Sequence, residues 1–78
     1  MNVTVLFFGM LAEVTQTSVL ELNTNSMHLT DFQNEVLNLF PDLKKMSFKI
    51  AVNEKIVEED VPLTAFSKIA FLPPFAGG

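Results

Sequence analysis

The sequence predicts an α+β fold, with one main helix laid across a mixed sheet of about five strands and a flexible Gly-Gly tail. Three observations predict it. β-Branched and aromatic residues gather in short runs bounded by turn residues. A single helical apolar period falls between Thr30 and Pro41. The chain then closes on Pro73-Pro74-Phe75-Ala76-Gly77-Gly78, an order of residues that neither a packed core nor a surface loop needs. The whole of 1–78 reads as one domain, with 73–78 as its protruding tail.

Asn2 to Phe8 reads as the first strand; alternation puts Val3, Val5 and Phe7 on one face and Thr4, Leu6 and Phe8 on the other. Gly9 ends it. Thr17 to Leu22 is a second strand, with Val19 as its clearest inward residue, and Asn23-Thr24-Asn25-Ser26 forms a turn. In the helix, Thr30 is the expected N-cap, Asp31 favours the positive helix start and Gln33 completes a capping box. Phe32, Val36, Leu37, Leu39 and Phe40 form its apolar face, and Pro41 stops it. Phe48 to Asn53 is a third strand, with Phe48, Ile50 and Val52 on one side. A tight turn beginning at Asn53-Glu54 leads to a short strand, Lys55 to Val57, and Glu58-Glu59-Asp60 reads as a solvated acidic loop. Lys68 to Leu72 is the last strand, with Ile69 and Phe71 facing one way and Ala70 and Leu72 the other.

This order fits a β-grasp (ubiquitin-like) fold. One helix cannot cover both faces of a sheet, so the second face meets solvent or a partner. Leu6, Phe8, Ile56 and Leu72 are the candidates for that face, and an exposed apolar patch marks an interaction site. Phe75, at the base of the tail, extends the same patch.

Composition narrows the function classes. Nine acidic against five basic residues argue against nucleic acid and suit docking to a basic protein surface. No cysteine is present, which is compatible with a reducing cytoplasm. The first residues carry no basic leader and no apolar run reaches the roughly eighteen residues of a membrane span, so neither a signal peptide nor a membrane anchor is expected. Catalytic groups are sparse. The single His28 has no second His or Cys with which to hold a metal, so no metal site and no bound cofactor are expected. Glu58-Glu59-Asp60 suits water better than acid–base work, and no glycine-rich loop leads from a strand into a helix to cradle phosphate.

The tail remains. Two prolines hold φ near −65° and favour an extended path, so six residues project roughly 19 Å. Gly77 and Gly78 lack Cβ atoms and can thread a narrow channel. The carboxylate of Gly78 is a poor electrophile until ATP converts it to an acyl-adenylate. A sulfur donor then makes a thiocarboxylate, whose sulfur is a good nucleophile if water is excluded. Such chemistry asks the carrier for a slender end and a docking surface.

Val5-Leu6-Phe7-Phe8, Ala51-Val52-Asn53, Val61-Pro62-Leu63-Thr64 and Ala70 to Gly78 closely resemble the small, sulfur-carrier subunits of molybdopterin synthases, the MoaD/ThiS family. Residues from about Thr15 to Ser47 match in element order alone. The resemblance implies a non-catalytic subunit of a sulfurtransferase, inactive by itself. An E1-like adenylating and sulfurating enzyme, using ATP, activates Gly78. Pro73, Pro74, Phe75, Ala76 and Gly77 then carry the thiocarboxylate into the large subunit, where it sulfurates a cyclic pyranopterin precursor. The catalytic side chains belong to that large subunit. Phe8, Ile56 and Leu72 match the family's subunit contacts, and a hetero-oligomer follows. Ala65-Phe66-Ser67-Lys68 departs from the family, standing where many relatives have an acidic, glycine-containing turn; Ala12-Glu13 replaces a frequent Arg-Glu pair. Three alternatives stay open: the related carrier for thiamin-thiazole synthesis, which usually lacks the diproline, a ubiquitin-like modifier joined to lysines through Gly78, and a binding module without tail chemistry.

Overall fold

The structure, a computed structural model, describes residues 1–74. The elements run β1 (Asn2–Phe7), α1 (Met10–Thr15), β2 (Val19–Asn23), α2 (Leu29–Leu39), a 3-10 segment (Pro41–Lys45), β3 (Lys49–Val52), β4 (Lys55–Val57) and β5 (Lys68–Leu72). The five strands form one mixed sheet in the order β2-β1-β5-β3-β4. The last strand lies in the middle, parallel to β1 and antiparallel to β3.

Alternation decides the core. Val3, Val5 and Phe7 of β1, Ile50 of β3, and Ile69 and Phe71 of β5 turn to the same side and are buried. Phe32 and Val36 of α2 close over them with Leu11, Leu29, Leu43 and Leu63. Phe71 is the aromatic centre, with ring centroids 5.4 Å from Phe7 and 5.1 Å from Phe48, and Phe7 meets Phe40 edge-on at 5.6 Å. At the turn between β3 and β4, Asn53 and Glu54 both take positive φ, 49° and 74°. That backbone matches the right-handed twist of a two-residue hairpin.

Four expectations need correction. The residues after Gly9 form a helix, α1, rather than a plain connection; six residues are too few to display a helical period. Thr15 closes α1, its hydroxyl donating to the carbonyls of Leu11 (3.1 Å) and Thr17 (2.9 Å). Val19 points away from the core, 54% exposed. Pairing with β1 sets the parity, because Leu20 lies opposite Val5 and Leu22 opposite Val3, so these two leucines face inward. Leu39 is likewise exposed, at the last turn of α2.

The capping of α2 also differs. The helix starts at Leu29, with His28 in the N-cap position and no side-chain cap bond from it. The Thr30 N–H instead donates to Oδ1 of Asp60, at 2.8 Å, from the loop after β4. A residue thirty positions away thus does what the expected Thr30–Gln33 box was to do, and Asp60 is structural rather than merely solvated. The Thr30 N–H holds the Asp60 carboxyl below its ordinary range, with help from nearby His28, whose Nδ1 lies 3.8 Å from Oδ2.

Candidate docking face and tail base

The helix-free side of the sheet carries a continuous apolar row. Val19 lies opposite Leu6, Leu6 beside Ala70, Ala70 beside Ala51, and Ala51 opposite Ile56. The row therefore crosses all five strands. Ile56 at its β4 end is 52% exposed. One step toward the tail, Leu72 pairs with Lys49; one step the other way, Lys68 lies beside Thr4 and Thr4 opposite Glu21. Among the described residues neither lysine takes part in an ion pair. The apolar strip is thus bordered by charges free to meet a partner's.

The end of β5 joins this face to the tail. Phe8, 45% exposed, has left the strand, yet its N–H still donates to the Phe71 carbonyl at 3.1 Å, which keeps it beside the start of the tail. Gly9 comes next, with φ of +58°, a conformation that L side chains rarely adopt. A Cβ on Gly9 would lie 3.1 Å from Cγ of Pro73. Gly9 thus serves twice, opening α1 and clearing room for the proline on which the tail is seated. The sequence signal for this second role was the glycine itself, read only as the end of a strand.

The structure brings Leu6, Ile56 and Leu72 onto one face, with Phe8 and the half-buried Pro73 at its tail end and Pro74 exposed beyond. Phe75, Ala76, Gly77 and Gly78 lie outside the described residues. His28 is exposed and paired with Asp60, far in sequence from both ends of β5. Among the described residues no group of three or more His, Cys, Asp or Glu side chains is placed to hold a metal ion, and no helix is long and apolar enough to cross a membrane.

Phe66 stands apart. It is 83% exposed and has φ of +65°. Its turn is tightly made: the Ser67 N–H donates to the Thr64 carbonyl at 3.2 Å, the buried Ser67 hydroxyl donates to the same carbonyl at 2.7 Å, and the Phe66 N–H donates to the Asn2 carbonyl at 3.0 Å. Positive φ at the third residue of such a turn is the type II pattern, which calls for glycine or asparagine there. A bulky side chain in that conformation costs about 1–3 kcal/mol.

Strand order, single covering helix and open face together define a ubiquitin-like β-grasp domain, and the fold is that of a ThiS/MoaD-type sulfur carrier. The chain belongs to the ThiS family, whose model matches residues 5–78. Among curated proteins none matches. Solved structures do. A chain of the protein–protein complex of subunits 1 and 2 of molybdopterin-converting factor from Helicobacter pylori 26695 is 26% identical with a TM-score of 0.73, over 100% of both chains. A putative molybdopterin converting factor subunit 1 from Pyrococcus furiosus is 19% identical with a TM-score of 0.84, over 94% of this chain and 97% of that one. Small archaeal modifier protein 1 from Methanosarcina acetivorans is 23% identical with a TM-score of 0.80, over 99% and 96%.

Proposed function

We propose that this chain is the sulfur-carrier subunit of a molybdopterin synthase, acting in the cytoplasm without a bound cofactor of its own. The observation that carries the reading is the join between the two working parts. A five-strand apolar face runs through Leu72 into Pro73, seated on Gly9, and so into a sequence ending in Gly77-Gly78. Phe8, Ile56 and Leu72 dock the partner, and Pro73 to Gly77 deliver Gly78.

An E1-like partner adenylates the Gly78 carboxylate: a carboxylate oxygen attacks the α-phosphorus of ATP and pyrophosphate leaves. A sulfur donor then displaces AMP at the carbonyl carbon, which leaves a thiocarboxylate. In the large subunit its sulfur attacks a carbon of the pyranopterin precursor and displaces an oxygen substituent, giving a thioester; water then cleaves the acyl C–S bond, leaving the sulfur on the pterin and returning Gly78 to the carboxylate. The partner's catalytic groups do this chemistry, while this chain supplies position and exclusion of water. The complexed H. pylori relative, similar over its full length, supports a large-subunit partner.

The archaeal modifier relatives favour a second reading, in which Gly78 is joined to lysines of other proteins. Intact-mass measurement of the chain isolated from its own cells separates the two. The carrier reading expects a fraction heavier by one oxygen-to-sulfur exchange, with pterin sulfuration abolished when Gly78 is deleted from a still-folded chain. Persistent absence of that fraction, with Gly78 found instead in isopeptide links, overturns it.

A further inference from the structure

We infer that Phe66 is a second anchor of the docking face, inserted into an apolar socket on the same large-subunit partner that receives the tail. The inference rests on the carrier reading and adds a contact at the opposite end of β5. Phe66 combines two features that folding alone disfavours. Its ring is 83% exposed, and its backbone holds the left-handed angle that a type II turn reserves for glycine or asparagine. The turn itself is rigid, fixed by bonds from Ser67 to Thr64 and from Phe66 to Asn2, so the ring is presented at little further entropic cost on binding.

Position selects the occupant. Phe66 lines a shallow cleft with Asn53, Glu54 and Lys68. Lys68 stands beside Thr4, on the open face, one register step from the apolar row. The cleft is therefore continuous with the docking face rather than a separate patch. From Phe66 to Leu72, six residue steps at about 3.3 Å span roughly 20 Å. A standard protein interface covers about 800 Å² on each partner, a patch roughly 30 Å across. One partner seated at Leu72 and Ile56 thus reaches Phe66. The fitting socket is apolar, edged by a carboxylate for Lys68 and a cation for Glu54. Aromatic residues, Phe among them, are enriched at protein interfaces, and a ring already held on a rigid turn suits insertion into a desolvated pocket.

The test uses the full chain and the large subunit from the same organism, with titration calorimetry for affinity and thermal melting for the fold. Phe66→Gly relieves the backbone strain, so its melting temperature equals or exceeds wild type while its Kd for the large subunit rises at least tenfold. Phe66→Tyr keeps ring and backbone and restores binding to within about threefold, a change small against a tenfold step. Ile56→Asp is the control for the face itself. If Ile56→Asp weakens binding and Phe66→Gly stays within twofold of wild type, the Phe66 anchor is overturned and the carrier reading survives. If wild type does not bind the large subunit at all, the carrier reading falls and takes the anchor with it. If wild type self-associates through Phe66 in sedimentation and binds the large subunit independently of it, the socket belongs to a second copy and the inference is overturned.

Discussion

The covered and the open face of the sheet are made from the same strands in strict alternation, and they obey different rules. On the covered face Val3, Val5, Phe7, Ile69 and Phe71 are shut in by α2, each touching several others, so the loss of one leaves a hole. On the open face Leu6, Ala70, Ala51 and Ile56 lie side by side outside the main core; Ile56 is half exposed, Leu6 and Ala70 are partly buried and Ala51 is buried. Such residues contribute little to the fold and much to whatever covers them. A domain of this size has little core to spare, so an apolar row across five strands that stays out of the main core is the part of the molecule folding alone does not account for.

The sharpest way to break that distinction is to truncate one residue from each face. Phe71→Ala removes the aromatic centre and is expected to cost about 3–5 kcal/mol, much of the stability of a small domain. Ile56→Asp, exposed at the edge, is expected to cost below about 1 kcal/mol. Urea titration of both variants checks this, and equal losses would erase the difference between the faces. A smaller effect is expected where the face meets the tail. Gly9→Ala forces a side chain into positive φ and against Pro73, for a loss of about 1–3 kcal/mol, and shifts the tail base. In a domain of this length the melting temperature should fall by roughly 4–8 °C for each kcal/mol; an unchanged melting temperature would mean that Pro73 does not rest there.

The smallest effect concerns Asp60. Its carboxyl titrates below the usual range because the Thr30 N–H donates to it. A group whose pKa is lowered by folding stabilises the fold above its unfolded pKa, and that contribution is lost as pH falls through the folded value. Wild type should therefore melt slightly above Asp60→Ala at neutral pH, with the gap closing under acid, below about pH 4. A gap that is constant from neutral to strongly acidic pH would mean that the cap does not depend on charge.

Much of this was readable from residue order. Strict alternation in β1 and β5 divides inward Val5, Phe7, Ile69 and Phe71 from outward Leu6 and Leu72 without any structure, and the Phe32–Val36 period marks α2. The illegible parts depend on partners distant in sequence. Val19 and Leu20 are both apolar, and only register against β1 decides which turns inward. The N-terminus of α2 is hidden in the sequence because its cap comes from Asp60, across thirty residues. α1 is too short to show a period, and the second role of Gly9 exists only because Pro73 returns to it.

The central position of β5 has a consequence for biosynthesis. While the ribosome is still making the chain, the β1–β2 and β3–β4 pairs can form, but nothing joins them, because Thr4 must wait for Lys68 and Lys49 for Leu72. Pairings so distant along the chain close slowly. The sheet, and with it the continuous open face, comes into being only when the final strand joins, so nothing can be held across that face before β5 is in place.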